Sequence, residues 1–431
     1  MSTRFTPAGP LRGALRPPPD KSVSHRAALI AAMGEGETTI AGYLDSADTR
    51  SSLAAVEALG AEVAGASSAS IEPVLRIRGV GLRGPGEARV EVGNAGTLLR
   101  LLPGWLAGQE AGSWTLDGDA SIRRRPVDRI AEPLRLMGAR LRCREGRLPP
   151  IEIEGAHLEG ISYELPVASA QVKSCLLFAG LLAAGETRVV EPLATRDHTE
   201  RMLAAAGAEV ERADGAVSVR PAARLEPGEI DVPADFSSAA FFITAALLVP
   251  GSELTITGVG LNPTRTGLLP ILERMGAEIE VEREGERGGE PSGRIRVRPS
   301  RLHGTEVAGG EVPLAIDELP LVALAACFAE GETTIRDAGE LRRKESDRIA
   351  TVSAALKALG AGVETDGDGM RIEGGSGLRG GTVDSHGDHR VAMLAAVAGL
   401  ASREGVEVSG MEAAGVSYPG FESDLASLSA G

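Results

Sequence analysis

Basic side chains stand at the predicted beginnings of seven helices, where a cation is electrostatically out of place. The free N–H groups of a helix N-terminus carry partial positive charge, so the helix dipole repels a nearby lysine or arginine. A bound anion removes this conflict, because N–H groups and cations can hold a phosphate or a carboxylate together. The seven segments are 20–26, 94–100, 123–127, 169–174, 195–198, 341–350 and 387–390. Together they predict a site for small anionic ligands.

The most highly charged segment shows the alternatives. Ser346 is the expected N-cap, which places Arg348 in the first turn and Lys344 just before the helix. Taken alone, the segment favours a solvated surface on which Asp347 and Glu345 neutralise their neighbours. The recurrence of cations at other helix beginnings favours the anion site instead.

Two further helix beginnings carry residues suited to holding a ligand. Asn94 or Thr97 is expected to cap the helix that follows, and Gly96 lets a ligand approach the backbone closely. Pro126 suits the first position of another helix, which would place Arg125 at the N-cap. For either site alone, an ordinary cap with a stray surface cation is an equally good interpretation.

Carboxylates near these cations point to proton transfer. Asp317 precedes a strongly apolar helix at 321–328, so it is either the N-cap of that helix or a general base beside the cations. Glu345 lies between Lys344 and Arg348, where it could hand a proton to a substrate carbon or hydroxyl. Converging cations about 5 Å apart repel by roughly 3 kcal/mol at an effective dielectric constant near 20. We therefore expect dianionic ligands to close two domains together.

An internal repeat organises the chain. An apolar helix, then a small-Gly-polar turn, then a β-branched strand recurs in six copies, whose turns lie near residues 34, 111, 184, 250, 330 and 404. A second phrase, a helix ending in Gly-Ala before a strand, recurs with its glycine at 60, 138, 207, 276 and 360. Glycine suits the position where a chain turns left-handed to leave a helix. Six α/β units divide naturally as three plus three.

The boundaries between the two predicted domains fall in proline-rich stretches. One lies near 225–233 and a matching crossover lies near 16–20. We therefore expect an N-terminal domain at 20–228 and a C-terminal domain made of 1–19 and 229–431.

Composition excludes several classes of function. The 431-residue chain has a formal net charge of −15, which argues against nucleic acid as a partner. Its longest strongly apolar run, at 239–249, is shorter than the roughly 18 residues that a membrane span needs. The first residues lack the apolar core of a signal peptide. Three cysteines, two of them in apolar runs, suit reduced core thiols, so a cytoplasmic protein is expected.

Two apparent motifs are poor candidates for a cofactor site. Residues 79–84 spell G-x-G-x-x-G, but a proline, a glycine and a strand follow them instead of the helix that would receive a pyrophosphate. His386 and His389 have no third clustered ligand, which argues against a metal. We expect neither a metal nor an organic cofactor.

The motifs resemble those of the 5-enolpyruvylshikimate-3-phosphate synthases (3-phosphoshikimate 1-carboxyvinyltransferases), which are enolpyruvyl transferases, and the resemblance runs nearly end to end. Gly93-Asn-Ala-Gly-Thr-Leu-Leu-Arg100 and Arg343-Lys-Glu-Ser-Asp-Arg-Ile349 are similar to the two signature segments of the family. The remaining motifs follow in the family order: Asp20-Lys-Ser-Val-Ser-His-Arg26, Arg125-Pro126, Ser169-Ala-Gln171, Ile316-Asp317 and Asp388-His-Arg390.

The resemblance implies a fold and a reaction. The fold would be a two-domain inside-out α/β barrel with six βαβαββ repeats, three in each domain, and an active site in the interdomain cleft. The reaction would move the enolpyruvyl group of phosphoenolpyruvate onto the 5-hydroxyl of shikimate 3-phosphate and release phosphate.

The resemblance also implies roles for individual residues. Asp317 would take the hydroxyl proton, and Glu345 or Lys21 would serve the methylene carbon. The residues expected to hold shikimate 3-phosphate are Lys21, Ser22, Arg26, Ser169, Ala170, Gln171, Arg196, Asp317 and Lys344. Those expected to hold phosphoenolpyruvate are Lys21, Asn94, Gly96, Arg125, Gln171, Arg348 and Arg390.

Three positions depart from the pattern of many members. Ala170 stands in place of a serine, which removes one hydroxyl from the shikimate phosphate site, and Arg196 would compensate. Glu340 stands where some members have asparagine, and Val416 where some have lysine. A charge-assisted contact contributes only about 1.5–3 kcal/mol, so none of these changes is expected to abolish activity.

Two other functions compete with this interpretation. An enzyme that enolpyruvylates UDP-N-acetylglucosamine typically has a reactive cysteine near Arg125, but residues 119–125 contain none. A non-catalytic repeat scaffold would not need Asp317 and Glu345 beside stacked cations. The expected partners are two small anionic substrates, with no nucleic acid and no membrane, and the chain is expected to be a monomer.

Overall fold

Two compact units make up the chain. The computed structural model describes residues 2–65 and 74–429. The N-terminal unit comprises Pro19–Pro233 with Glu286–Glu290, and the C-terminal unit comprises Met1–Pro18, Ala234–Gly285 and Pro291–Gly431. The first two unit boundaries thus lie at Pro18/Pro19 and Pro233/Ala234.

Helices alternate with single strands or groups of strands along the N-terminal unit. Two strands of the other unit, β1 (Ser2–Phe5) and β2 (Arg12–Leu15), precede it. Its described helices are α1 Lys21–Met33, α2 Ala47–Ala58, α3 Gly96–Ala107, α4 Asp128–Leu136, α5 Ala170–Gly180 and α6 His198–Ala205. Its described strands are β3 Glu37–Ala41, β4 Glu62–Ala64, β5 Val74–Arg78, β6 Ala88–Glu91, β7 Ser113–Asp117, β8 Arg140–Arg144, β9 Leu148–Glu154, β10 Ser162–Glu164, β11 Thr187–Val190, β12 Val210–Ala213, β13 Ala216–Val219 and β14 Glu229–Asp231.

Three sheets of the N-terminal unit share one topology. Their strand orders are β14-β3-β5-β4, β6-β7-β9-β8 and β10-β11-β13-β12. In each sheet the first pair is parallel and the other two pairs are antiparallel. In the first sheet, for example, Ile230 of β14 lies opposite Ile40 of β3. The same small subdomain is therefore built three times.

The C-terminal unit repeats this plan. Its described helices are α7 Phe236–Leu248, α8 Leu268–Arg274, α9 Val312–Ala315, α10 Leu319–Ala326, α11 Arg348–Ala358, α12 His389–Ala401 and α13 Phe421–Ser429. Its further strands are β15 Glu253–Gly260, β16 Ile279–Arg287, β17 Glu290–Val297, β18 Glu306–Val307, β19 Glu332–Ile335, β20 Gly362–Asp366, β21 Gly369–Glu373, β22 Gly381–Asp384 and β23 Val406–Ser409. The sheet orders are β16-β17-β15-β2, β18-β19-β21-β20 and the three-stranded β1-β23-β22.

Each unit buries helices inside and carries its sheets outside. In α1 every residue from Val23 to Met33 is buried, and in α7 every residue from Phe236 to Leu247 is buried. A helix that is buried all round must be surrounded by protein, so α1 and α7 lie in the interior of their units. The second helix of a repeat, such as α2 or α11, buries only part of its surface. Each unit has its own hydrophobic core.

The Gly-Ala phrase behaves as predicted. Each glycine of this phrase directly follows the C-cap residue of a helix. The φ angles of the glycines at 60, 138, 207, 276 and 360 are 104°, 99°, 92°, 94° and 98°. This left-handed region is open to glycine without the Cβ clash that other residues meet. The residues 79–84 lead into strand β6 through a loop, as expected for a chance match.

No helix among residues 2–65 and 74–429 is both long enough and apolar enough to cross a membrane.

Candidate active site

The beginning of α1 carries the first predicted site residues. Asp20 caps the helix, with its Oδ1 accepting a hydrogen bond from the Val23 amide at 2.9 Å. Lys21 is the first helical residue, and its Nζ lies 3.1 Å from Asp48 Oδ2. Ser22 follows it and is half-buried. The α1 start thus presents a partly exposed ammonium at the positive end of the helix dipole.

The beginning of α3 differs from the prediction in its cap. The N-cap is Ala95, and neither Asn94 nor Thr97 caps the helix with its side chain. Asn94 has another contact, because its Oδ1 accepts a hydrogen bond from Arg125 Nη2 at 2.6 Å. A Cβ atom on Gly96 would lie 2.8 Å from Arg125 Nη1. Glycine therefore makes room for the guanidinium of Arg125 at the helix start.

Arg125 is not an N-cap, contrary to the prediction. It ends a short 3-10 helix, Ile122–Arg124, and α4 begins only at Asp128 with Val127 as its N-cap. The 3-10 turn displaces the helix start by two residues past Pro126, so Pro126 is not at the first helical position. The guanidinium reaches back to Asn94 instead, and it thereby joins the start of α3.

The beginning of α5 is capped by a serine of the predicted substrate site. Ser169 is the N-cap, and its Oγ accepts from the Val172 amide at 3.5 Å. Ala170 is the first helical residue and adds no polar atom. Gln171 Nε2 donates to Thr97 Oγ1 at 3.2 Å, so the first turns of α5 and α3 are in contact.

Arg26 lies deeper than the other predicted ligands. Its side chain is buried, and its guanidinium donates to Thr199 Oγ1, Ser174 Oγ and the Ser22 carbonyl at 2.7, 3.0 and 2.9 Å. Burial lowers the pKa of Arg26 to about 10, and the positive charge of nearby Arg196 acts in the same direction. The guanidinium remains charged at neutral pH. It links the start of α1 to those of α5 and α6.

These contacts define a set that we term the N-terminal cluster. Its members all lie at or near the starts of α1, α3, α5 and α6 or in the turn before α4, within one unit. They are Lys21, Ser22, Arg26, Asn94, Gly96, Arg125, Ser169, Ala170, Gln171 and Arg196.

Asp317 is the centre of a second set in the C-terminal unit. It is not the N-cap of α10, because that helix begins at Leu319 with Glu318 in the cap position. Its Oδ1 lies 3.2 Å from Lys344 Nζ and 3.1 Å from Arg348 Nη1. Its Oδ2 lies 3.8 Å from Arg390 Nη2. Three predicted substrate ligands therefore surround the predicted base.

Arg348 is a buried cation held by carboxylates. It begins α11, and only 1% of its side chain is exposed. The helix cap is Asp347 and not Ser346 as predicted, because Asp347 Oδ1 accepts from the Ala350 amide at 3.1 Å. Burial opposes the charge of Arg348, but Glu345, Asp388 and Asp317 outweigh it and raise the pKa of the guanidinium. Arg348 therefore stays protonated.

Glu345 is ionised in this arrangement. Its Oε2 lies 2.5 Å from Arg348 Nη2, and 38% of its side chain is exposed. Partial burial opposes ionisation, but the positive charges of Arg348, His389 and Lys344 outweigh it and lower the pKa of Glu345. To act as a proton donor, Glu345 needs a nearby anion that offsets these positive charges and so favours its protonated form.

Arg390 completes what we term the C-terminal cluster, namely Asp317, Lys344, Glu345, Arg348 and Arg390. It is the second residue of α12, and Asp388 caps that helix by accepting from the Arg390 amide at 2.9 Å. Arg390 Nη1 donates to the Asp317 carbonyl at 3.2 Å. The side chain and the start of its own helix thus both face this cluster.

Sequence reasoning missed several residues that support the two clusters. Glu318 is fully buried and accepts from Arg390 Nη1 at 3.5 Å and from Arg265 Nη1 at 3.2 Å. Lys173 is equally buried in α5, close to the apolar run at 175–179. A charged residue close to an apolar run was the signal available in the sequence, because such a residue is rarely buried without a partner.

Metal-binding groups and cysteine thiols also bear on the chemistry of the site. Among residues 2–65 and 74–429, no group of three or more His, Cys, Asp or Glu side chains could hold a metal ion. Cys175 and Cys327 are buried, and burial raises the pKa of both thiols, that of Cys327 to about 12. Neither thiol is suited to act as a nucleophile.

Comparison with known proteins gives one consistent result. The model of the EPSP synthase (3-phosphoshikimate 1-carboxyvinyltransferase) family matches residues 5–425. The chain is 50% identical over 423 residues to a 3-phosphoshikimate 1-carboxyvinyltransferase of Synechococcus sp. (strain JA-3-3Ab), covering 97% of this chain and 94% of that protein. It is 49% identical to the protein of the same name from Desulforudis audaxviator (strain MP104C), with 99% of each chain covered. The chain belongs to the EPSP synthase family.

Solved structures agree with the family assignment. An EPSP synthase from Acinetobacter baumannii has 42% sequence identity and a TM-score of 0.88, covering 99% of this chain and 97% of that one. The enolpyruvyl transferase NikO from Streptomyces tendae has 19% identity and a TM-score of 0.78, covering 99% and 96%. The second likeness concerns the fold alone. The predicted family and the inside-out α/β fold class are both confirmed.

Three positions were expected to carry residues that differ from those of many EPSP synthases. Ala170 opens α5, as described above. Glu340 lies in a 3-10 helix, Gly339–Arg343, where its Oε1 is 3.7 Å from Arg343 Nη1. Val416 is 45% exposed at the end of another 3-10 helix. None of the three replaces a residue of the buried ion pairs around Asp317.

Proposed function

We propose that the chain transfers the enolpyruvyl group of phosphoenolpyruvate to the 5-hydroxyl of shikimate 3-phosphate and releases phosphate. The observation that carries this proposal is the position of Asp317 among Lys344, Arg348 and Arg390, at 3.2, 3.1 and 3.8 Å. A carboxylate surrounded by cations offers a base at the place where anionic substrates are attracted. Membership of the EPSP synthase family supplies the identity of the two substrates.

Substrate binding is assigned to both clusters. The N-terminal cluster combines the positive ends of α1, α3 and α5 with Lys21, Arg26 and Arg125, which suits phosphate and carboxylate groups. Lys21, Ser22, Arg26, Ser169, Ala170, Gln171, Arg196, Asp317 and Lys344 would hold shikimate 3-phosphate. Lys21, Asn94, Gly96, Arg125, Gln171, Arg348 and Arg390 would hold phosphoenolpyruvate. Both clusters would have to contribute to one active site. We propose that the two domains comprise residues 20–228 and residues 1–19 plus 229–431.

The proton transfers follow from the charges. Asp317 takes the proton of the 5-hydroxyl of shikimate 3-phosphate while the hydroxyl oxygen bonds to C2 of phosphoenolpyruvate. At the same time C3 accepts a proton from Glu345 or Lys21. C3 then loses a proton, and the bond from C2 to the phosphate oxygen breaks, which restores the double bond. Anionic substrates offset the charges of Arg348 and Lys344, which are among the groups that lower the pKa of Glu345. Substrate binding therefore favours the protonated form that Glu345 needs as a donor.

Phosphate release separates this function from its rivals. The enzyme should release phosphate from phosphoenolpyruvate when shikimate 3-phosphate is added and not when UDP-N-acetylglucosamine is added. Release with the sugar nucleotide alone would support the sister reaction, although residues 119–125 contain no cysteine. No release with either acceptor would favour a non-catalytic scaffold.

Finer features remain part of the proposal. The buried thiols Cys175 and Cys327 suit a reducing compartment, which supports a cytoplasmic enzyme. We also propose that it acts as a monomer and that the two domains close on their substrates.

A further inference from the structure

A fully buried lysine lies behind the N-terminal cluster and has no part in the mechanism above. Lys173 Nζ lies 2.7 Å from Glu200 Oε1 and 2.9 Å from Glu191 Oε2. Its side chain has no exposed surface, and that of Glu200 is only 2% exposed. An unpaired charge at this depth would cost several kcal/mol, so the pair fastens α5 to the first turn of α6.

The residues next to this pair form a second link between the same helices. Ser174 follows Lys173 on α5, and Thr199 precedes Glu200 on α6; their hydroxyl oxygens lie 2.7 Å apart. Both residues are completely buried. Each hydroxyl also accepts a hydrogen bond from Arg26, Thr199 from Nε and Ser174 from Nη2.

These bonds fix the guanidinium of Arg26 on three sides. A guanidinium has five N–H donors in one plane. Thr199, Ser174 and the Ser22 carbonyl accept from Nε, Nη2 and Nη1, one bond each. The contacts among the described residues leave two donors for a ligand, one on each terminal nitrogen, and the other three bonds set their directions. Such preorganisation favours bidentate binding of a carboxylate or phosphate.

We propose that Ser174 and Thr199, backed by the Lys173–Glu200 ion pair, are positioning residues that orient Arg26 toward an anionic group of shikimate 3-phosphate. This inference rests on the proposed function, because Arg26 is assigned to that substrate there. None of the four residues needs to touch the substrate. They affect substrate binding by fixing the orientation of the Arg26 guanidinium.

Thr199 offers a matched pair of variants. Thr199→Val keeps the shape of the side chain and removes the acceptor for Arg26 Nε, whereas Thr199→Ser keeps the hydroxyl. Hydrogen bonds to a charged group contribute about 1.5–3 kcal/mol, so Thr199→Val should raise the KM for shikimate 3-phosphate at least about 10-fold. The KM for phosphoenolpyruvate should change less than about 3-fold, and Thr199→Ser should restore most of the lost affinity.

A control addresses the loss of any buried hydroxyl. Thr244 is also fully buried, and its Oγ1 donates only to the Ala240 carbonyl within α7. Thr244→Val should leave both KM values unchanged. Glu200→Gln, which keeps the side-chain shape and removes the charge, should shift the KM for shikimate 3-phosphate in the same direction as Thr199→Val.

Calorimetric titration of shikimate 3-phosphate onto the full-length enzyme gives a measurement independent of turnover. Weaker binding to Thr199→Val, restored in Thr199→Ser, would support the inference. Unchanged binding to Thr199→Val, or equal losses in both variants, would overturn it while an active wild-type enzyme leaves the proposed function standing. A wild-type enzyme that neither binds this substrate nor releases phosphate would overturn the proposed function itself.

Discussion

Arg348 Nη1 lies 3.1 Å from Asp317 Oδ1, so a predicted phosphoenolpyruvate ligand and the predicted general base are in direct contact. Each neutralises part of the charge of the other in the absence of substrate. A substrate anion that competes for Arg348 weakens its hold on Asp317 and leaves the carboxylate a better proton acceptor. We therefore expect binding of phosphoenolpyruvate and activation of the base to be coupled through this contact.

Asp388 controls where Arg348 lies. Its Oδ2 accepts from Arg348 Nε and from Ser346 Oγ, each at 2.9 Å, and its side chain is fully buried. Asp388→Asn should raise the KM for phosphoenolpyruvate about 10- to 100-fold, because charge-assisted bonds to Arg348 are lost. Asp384→Asn is the control, since Asp384 Oδ1 accepts from the exposed His386 amide. Steady-state kinetics that show equal effects of both variants would contradict this role.

Gly96 should be intolerant of a side chain. A Cβ at this position would lie 2.8 Å from Arg125 Nη1, so the guanidinium must move. Gly96→Ala should raise the KM for phosphoenolpyruvate about 10-fold or more and leave that for shikimate 3-phosphate within about 3-fold. Gly285→Ala serves as the control, because a Cβ there meets no atom within 4 Å. An unchanged KM for phosphoenolpyruvate in Gly96→Ala would show that Arg125 does not depend on this space.

The role of Arg125 in turnover can be tested by comparing its alanine variant with that of the neighbouring Arg124. Arg124 is exposed in the same 3-10 turn, whereas Arg125 contacts Asn94 at 2.6 Å. Arg125→Ala should lower turnover at least about 100-fold while the protein stays folded, because the negative charge on the departing phosphate loses its partner. Arg124→Ala should be close to wild type. Similar turnover in both variants would remove Arg125 from the substrate site.

The fold was largely predictable from the sequence because its repeat signals are local. The glycine of each Gly-Ala phrase needs a left-handed conformation that other residues avoid, so five helix ends could be placed from this residue type alone. Helix beginnings were harder. Ser346 and Asp347 can both cap, and only the backbone path decides that Asp347 does so.

The site was predictable only where motifs carry it. Asp317, Arg348 and Arg390 belong to separate segments, and their contacts depend on how α10, α11 and α12 pack in one unit. Glu318 and Lys173 were missed because a buried ion pair needs a partner from a distant segment, and spacing along the chain does not reveal one.

His25 gives the protein a stability that depends on pH. Its ring is buried with Nδ1 2.7 Å from Ser52 Oγ; burial, aided by Lys21, lowers its pKa from 6.5 to about 3. Below pH 6.5 the His25 ring therefore binds a proton in the unfolded chain, whereas in the folded chain the ring stays neutral down to about pH 3. The stability contributed by the neutral ring is full above this range and is lost as the pH falls through it, by about 1.4 kcal/mol per pH unit.

Urea unfolding at pH 6.5 and pH 4.5 tests this prediction. Between these values the wild type should lose about 2 to 3 kcal/mol more unfolding free energy than His25→Gln, because the variant lacks the titrating ring. His303→Gln should behave like the wild type, since His303 is exposed. Parallel losses in the wild type and His25→Gln would show that the ring is not kept neutral by the fold.

The role of Asp317 is tested most directly by a single-turnover measurement with both substrates bound. Asp317→Asn keeps the shape of the side chain but cannot accept the hydroxyl proton as a carboxylate does. Mass spectrometry should find the enolpyruvyl product with the wild type, and the variant should form it at least about 100-fold more slowly. Product formation by Asp317→Asn at a rate near that of the wild type, or no product with the wild type, would contradict the proposed mechanism.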